Sequence, residues 1–407
     1  MDHLHLPAAP AAPILGRIPQ VLSTDGETTP QSVLEAGDIR LLTSGRLGIC
    51  HALQLLGVAA GNRVLLPAFH CASMRYPIIW REAEAVYYRL KDDTRIDLDD
   101  LRQHLAKGAK AVIATHFFGF AQPIDQVRAL CDEYGATLIE DCAHAFFGSW
   151  KGSPLGSFGH YAIASPQKFF PIFDGGCLIS REHPLGDVVL HEGNTSFQVK
   201  ALIDPLERAV LYDRLKAVSW ILKSLLGIKN IIWRSLKRSA RSAQDNAATN
   251  IGPSSSGGAA ELSIEWLNVR MSRTSRFTLR RCQRTATRIR SARRANYQFF
   301  AGAFADQPGC RPLLPSLPDD TVPYVFPLLI DVPEQVFPAI KRARVPVMRW
   351  EDLPATALES CPVASRYSNA LLQLPCHQSL QPHELKWIVH ELCSALNATR
   401  TNGATTA

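Results

Sequence analysis

Ala111-Val-Ile-Ala-Thr115, Pro123-Ile-Asp-Gln-Val-Arg-Ala-Leu-Cys-Asp-Glu-Tyr-Gly135 and Ala136-Thr-Leu-Ile-Glu-Asp141 follow one another along the chain. The first is an apolar run of strand length, which predicts a strand buried on both faces. In the second, Pro123 opens a helix, Ile124, Val127, Leu130, Cys131 and Tyr134 recur on one face, and Gly135 ends it. The third restarts as a strand at Thr137-Leu-Ile139 and carries a carboxylate, Asp141, at its end. Upstream, Ser44-Gly45 precedes Ile49, Ala52, Leu53 and Leu56 at helical spacing, and Gly57 and Gly61 lead into a strand at Arg63-Val-Leu-Leu66. Strands alternating with helices predict βαβ units, an α/β class and a mostly parallel sheet. Ligands of such sheets lie at the carboxyl ends of the strands, where Thr115-His116, Asp141 and Lys168 are expected.

Downstream, Tyr161-Ala-Ile-Ala-Ser165-Pro-Gln-Lys168-Phe-Phe-Pro-Ile-Phe-Asp-Gly-Gly176 sets one lysine between an apolar run and a glycine pair. Alone, such a lysine is ordinarily solvated or snorkelling. The carboxylate 27 residues earlier changes the reading. A lysine that can bond to an aldehyde, and an aspartate that can pair with a protonated pyridine nitrogen, are the two groups pyridoxal phosphate needs. Asp141 has a second reading, as the cap of a following helix. Ser44, Gly45 and Ser165 are the phosphate candidates, because a small-residue turn at a helix start exposes N–H groups to an anion. Ser-Gly before a helix is, by itself, only a capping signal.

Glu140-Asp-Cys-Ala-His144-Ala followed by Ser165-x-x-Lys168-x-x-x-x-x-Asp174-Gly-Gly resembles the DegT/DnrJ/EryC1/StrS family of aminotransferases. Thr43-Ser-Gly-Arg46 is similar to its phosphate turn, Leu66-Pro-Ala-Phe-His70 to its Pro-x-x-Thr turn, and Thr115-His-Phe-Phe-Gly119 to its His-x-x-Gly segment. Asn268-Val-Arg270-Met-Ser272 and Gln373-Leu-Pro-Cys-His377 complete an ordered set from about residue 40 to 395. The resemblance implies a fold-type-I pyridoxal phosphate transferase. Its large cofactor-binding domain spans 1–268, with an N-terminal arm over 1–38 and a helical insertion and loop over about 200–260. A smaller C-terminal α+β domain spans 269–407. The implied cofactor-binding residues are Lys168, Asp141, His144, Ser44, Gly45, Arg46, Ser165, His70 as the residue stacked on the ring, and Asn268 reaching the site of a neighbouring subunit in a homodimer. Lys168 and Asp141 are the implied catalytic pair. The implied reaction converts a keto group on a nucleotide-linked sugar to an amine, with glutamate or glutamine as donor, in surface-glycan or secondary-metabolite biosynthesis. A non-sugar ketone such as a cyclitol, or a cofactor-binding scaffold or sensor without turnover, are the alternatives.

The chain has 407 residues, enough for two packed domains, and 46% of them are hydrophobic. Its net charge of +7 suits an anionic ligand. Ten cysteines without a CxxC pair give no metal or disulfide framework, and the first residues lack a basic signal region, so a cytoplasmic setting with reduced thiols is expected. Residues 205–240 read as one or two long helices. Val218, Ile221, Leu222, Leu225, Ile232 and Leu236 share a face opposite a basic one, a pattern that suits peripheral membrane contact or docking on protein. Residues 242–260 read as a small-residue loop. Residues 270–300 read as one very basic helix, its arginines a solvated face or a screen around an acidic nucleotide sugar. Nucleic acid is disfavoured, because no aromatics interleave the arginines.

Overall fold

The computed structural model describes residues 6–7, 9–11, 29–215 and 263–404, and the apolar face from Val218 to Leu236 and the loop at 242–260 lie outside them. The strands are β1 (Asp38–Leu42), β2 (Arg63–Pro67), β3 (Glu84–Tyr88), β4 (Ala111–Thr115), β5 (Thr137–Cys142), a small hairpin of β6 (Ser149–Trp150) and β7 (Ser153–Pro154), β8 (Tyr161–Ala164) and β9 (Gly176–Ser180). Seven of them form one sheet in the order β1-β9-β8-β5-β4-β2-β3. Pairs β2–β3, β2–β4, β4–β5 and β5–β8 are parallel, and only β9 runs against its two neighbours. Burial on both faces explains the unbroken apolar sequences: every residue of β4, β8 and β9 is buried.

The helix between β4 and β5 spans Ile124–Glu133, and Gly135 beyond it takes φ +65, a backbone turn that suits glycine. Three further strands, β10 (Cys310–Pro312), β11 (Val325–Ile330) and β12 (Leu371–Pro375), make an antiparallel sheet. Helices Ala286–Phe304, Pro333–Arg342 and Pro382–Ala404 accompany it. Alternate residues of β11 and β12 point two ways. Phe326, Leu328, Leu372 and Leu374 enter a core of their own with Tyr297, Phe300 and Ile388, whereas Val325, Leu329 and Leu371 join the core of the large sheet. The cleft-facing side of the small sheet is thereby set by strand periodicity.

Two expected helices differ in detail. Of the one or two helices expected at 205–240, the described one begins earlier, at Thr195, where Asn194 accepts from the Phe197 N–H, and ends at Leu211, while residues 216–240 lie outside the described residues. The basic segment is two helices, Arg273–Gln283 and Ala286–Phe304. Ser272 caps the first, and Arg284 and Thr285 break the run, the Thr285 hydroxyl donating to the Cys282 carbonyl at 2.8 Å. Residues after 268 do not all serve the small sheet, because Met271, Leu279, Ala286 and Ile289 pack with Phe146, Phe147, Phe169 and Phe170. No helix among the described residues is long and apolar enough to cross a membrane.

Candidate active site

Asp141, Ser165 and Lys168 reach one cavity because β5 and β8 are parallel neighbours whose carboxyl ends stand side by side. The cavity holds about 230 Å³ and is also lined by Ser44, Gly45, Arg46, Cys71, Thr115 and His144. Lys168 ends a 3-10 turn, Pro166–Lys168, begun by Ser165, whose carbonyl accepts the Lys168 N–H at 3.0 Å. The Lys168 ammonium makes no ion pair among the described residues and lies 5.4 Å from the Tyr324 ring centroid. Burial pulls its pKa below the ordinary lysine value against the opposing pull of Cys71 and Asp141, and Arg46 lowers it further. A lysine held this way is more readily deprotonated, as a nucleophilic amine needs to be.

Asp141 is buried. Its Oδ1 accepts the Ala143 N–H at 2.9 Å and its Oδ2 the Thr115 hydroxyl at 3.3 Å. Burial raises its pKa above the usual carboxylate range, although Ala143, Lys168 and Thr115 pull the other way. A cation brought against it would offset that burial. The Ala143 bond gives the capping reading of Asp141 some substance, but its carboxylate also lines the cavity. Glu140, the preceding residue, points to the opposite face of β5 and accepts from the Gly156, Phe158 and Gly159 N–H groups and from His116. His116, Glu140 and Cys142 converge, yet the Glu140 oxygens are already saturated with donors and hold the 156–159 turn.

Helix α1 (Gly45–Leu55) aims its N-terminus at the cavity, and the Ser44 side chain makes no capping bond, so its hydroxyl and the positive end of the helix face the place an anion would take. Close approach builds this cradle: a Cβ on Gly176 would lie 2.1 Å from the Ser44 carbonyl carbon and oxygen. Uncapped helix start, buried carboxylate and unpaired lysine amine fit the phosphate, ring nitrogen and aldehyde of pyridoxal phosphate. His144 is buried among Tyr324, Trp350 and Phe118, at 4.4, 5.4 and 6.1 Å between ring centroids. Burial, then the Lys168 charge, holds its pKa far below the usual histidine value. Its Nδ1 accepts the Phe118 N–H at 3.4 Å, leaving Nε2–H as a donor.

Two expected residues stand elsewhere. His70 does not line the cavity; its ring is fully buried against Tyr87, 5.3 Å between centroids, and Nδ1–H donates to the Pro67 and Ala68 carbonyls. The tight turn after β2 folds the ring back, and the next residue, Cys71, faces the cavity instead. Asn268 is exposed and away from the cavity of its own chain, its carbonyl accepting the His191 N–H at 2.9 Å. The nearby Ser272 is tied to Asp174 of the glycine-pair loop through its N–H and hydroxyl, at 2.8 and 2.5 Å. A second cavity of about 550 Å³ shares Ser44 and Arg46 and extends past Asn194, Lys200 and Trp266.

Sequence reading missed the wall formed by Tyr324, Met348, Trp350 and Gln373, which comes from the small sheet and its approaches. It also missed Arg293. The arginines at 273, 280, 281, 284 and 288 are exposed, but Arg293 is wholly buried over the Phe169 ring, 4.4 Å to the centroid. It donates to the carbonyls of Lys168 at 3.1 Å, Pro323 at 3.0 Å and Tyr324 at 3.2 Å, and to Gln378 Oε1 at 2.9 Å. Gln378 Nε2 in turn donates to the Phe169 carbonyl at 2.7 Å. The one available signal was helical spacing: Ile289, Arg293, Asn296, Tyr297 and Phe300 share the buried face.

Residues 39–199 match the model of the DegT/DnrJ/EryC1/StrS aminotransferase family. GDP-perosamine synthase of Vibrio cholerae is 29% identical over 171 residues, 41% of this chain and 47% of that protein. L-glutamine:2-deoxy-scyllo-inosose aminotransferase of Streptomyces kanamyceticus is 27% identical over 152 residues, 37% of this chain and 36% of that protein. The matched segment thus spans less than half the length of either relative. Among solved structures, the aminotransferase TlmJ of Streptoalloteichus hindustanus has a TM-score of 0.60 at 18% identity, covering 89% of this chain and 86% of that one. The 3-amino-5-hydroxybenzoic acid synthase has 0.61 at 17%, covering 90% and 88%. These two likenesses establish the fold. The sequence match to the DegT/DnrJ/EryC1/StrS aminotransferase family covers residues 39–199, the part of the chain that carries Asp141 and Lys168.

Proposed function

We propose that the protein is a pyridoxal phosphate-dependent aminotransferase that converts a keto group on a sugar-type acceptor to an amine. The observation that carries this is the meeting of Lys168, Asp141 and the α1 N-terminus in one cavity. When bound, the cofactor supplies an aldehyde that carries the amino group and a ring that withdraws electrons. Lys168 would hold the cofactor through its amine and would move a proton at the substrate carbon as general base. Asp141 keeps the ring nitrogen protonated, Thr115 orients that carboxylate, and Ser44, Gly45, Arg46 and Ser165 receive the phosphate. His144, neutral and donating from Nε2, serves the ring hydroxyl.

A nucleotide-linked keto sugar as acceptor, with glutamate or glutamine as donor, rests on relatives such as GDP-perosamine synthase. A cyclitol ketone is the second reading, favoured by the inosose aminotransferases among the relatives. A site shared in a homodimer belongs to this reading, supported by the exposed position of Asn268 outside the cavity of its own chain; sedimentation that stays monomeric at micromolar concentration would remove this part. A cytoplasmic enzyme of surface-glycan or secondary-metabolite synthesis suits such chemistry.

Borohydride reduction of the cofactor-loaded protein followed by peptide mapping is the direct test. Label is expected on Lys168, and Lys168→Ala is expected to take up no label and to show no transamination. Label on Lys151 or another lysine would overturn the assignment.

A further inference from the structure

Strand β12 reads Leu371-Leu-Gln-Leu-Pro375, a fully buried run with one polar residue in its centre. Leu372 and Leu374 face the core of the small domain, so Gln373 points the other way, over the cavity that holds Lys168. It is only 1% exposed, and neither its Oε1 nor its Nε2 has a partner among the described residues. Its backbone, by contrast, is fully engaged with Met348: the Gln373 N–H donates to the Met348 carbonyl at 2.8 Å, and the Met348 N–H to the Gln373 carbonyl at 3.2 Å. The strand is therefore held firmly, while the carboxamide it carries is left with two buried, unsatisfied polar atoms. An apolar residue would suit the fold better at this position.

The chemistry of the missing partner follows from the group. A carboxamide presents a donor and an acceptor side by side. A carboxylate would satisfy Nε2 and be repelled by Oε1, and an ammonium would do the reverse. A hydroxyl beside a second hydroxyl or a carbonyl satisfies both. The rest of the wall has the same character: Tyr324, Met348 and Trp350 offer aromatic and thioether surface and no charge. The charged side chains of the cavity, Arg46, Asp141 and Lys168, belong to the opposite, large-domain side.

We infer that Gln373 is a specificity-determining residue that reads a pair of ring oxygens on the acceptor, so that the small-domain wall selects a hydroxylated, uncharged keto ring against the amino-acid donor. This rests on the proposed aminotransferase reading. The ligand displaces wall contacts around the carboxamide as it binds, and the hydrogen bonds then formed replace an unsatisfied state, so they discriminate strongly against a ring that lacks the oxygens.

The test separates the two half-reactions in stopped flow with cofactor-loaded protein. L-glutamate serves as donor probe, and a GDP-linked 4-keto-6-deoxyhexose and 2-deoxy-scyllo-inosose as acceptor probes. Gln373→Leu is expected to leave the donor half-reaction within about twofold and to raise the half-saturating concentration of the reactive acceptor about tenfold or more. Its melting temperature is expected to equal or exceed that of the wild type, since two unpaired buried polar atoms are gone. Gln373→Met repeats the comparison if the leucine does not pack. Equal losses in both half-reactions, or an unchanged acceptor dependence with a normal melting temperature, would overturn the inference while leaving the aminotransferase reading intact. A wild type that accepts an amino group from glutamate and passes it to neither ketone overturns both the sugar-type acceptor and this inference. A wild type inert to glutamate overturns the functional reading itself.

Discussion

Asp141 and Glu140 are adjacent carboxylates with opposite fates, because successive residues of a strand face opposite sides of the sheet. Glu140 meets the His116 ring, the Cys142 thiol and the amides of Gly156, Phe158 and Gly159, and although burial pushes its pKa up, His116 and the amides of Gly156 and Gly159 bring it below normal. It is an internal anion that holds a turn. Asp141 meets two donors and stays raised by burial, which leaves it short of a positive partner in the cavity. Asp141→Asn keeps the shape and the Thr115 contact and removes the charge. Cofactor is expected to remain bound while turnover falls at least about a hundredfold. Near-normal turnover in single-turnover assays would reduce Asp141 to a cap for the Ala143 turn. At this scale the sequence was informative for Asp141 and Lys168, since strand length and a terminal polar residue are local patterns. It misled for His70, whose direction depends on a turn that packs the ring against Tyr87.

Helix Ala286–Phe304 shows how an element converts a basic sequence into a scaffold. Its buried stripe carries Arg293 between Ile289 and Phe300, and the guanidinium reaches the backbone carbonyls of Lys168, Pro323 and Tyr324, which are far apart in the chain. Burial lowers its pKa to about 10, still well above neutrality, so it stays charged. The result is that the peptide carbonyls of Lys168 and Phe169 are both held from outside their own loop. Arg293→Met leaves several carbonyls and the Gln378 oxygen without donors. Urea unfolding is expected to show a loss on the order of 3 kcal/mol, whereas Arg284→Met, on the exposed side, should stay within about 0.5 kcal/mol. Equal effects of the two substitutions would remove the clamp. The neighbouring helix Arg273–Gln283 has a different fixed point, the Asp174 carboxylate, which accepts from Ser272 and Ser275.

Over the whole molecule, several imidazoles are buried neutral. Burial lowers the pKa of His70 to about 4 and that of His377 to about 3, and holds His144 well below its usual value. Between those values and about 6.5 the unfolded chain binds protons that the folded chain does not. Stability from these groups is therefore complete above about pH 6.5 and declines as pH falls, by about 1.4 kcal/mol for each such histidine at one unit below. The melting temperature is expected to drop between pH 7.5 and 5.5. A flat profile across that window would mean that the histidines open to solvent without cost.

The periodicities of residues 111–141 and 161–176 determined, by themselves, the α/β class, the parallel strands and the placing of Asp141 and Lys168 at strand ends, because each is a pattern within a few turns of chain. The tertiary structure decided the rest. The second wall of the cavity, with Tyr324, Trp350 and Gln373, arrives from strands and loops far along the chain, and no local pattern says which side of β12 will cover Lys168. Whether an arginine in a basic helix is solvated or buried is likewise set by what packs on that face, as Arg284 and Arg293 illustrate. Burial and partnership are properties of contacts between distant segments, and only the folded chain brings those segments together.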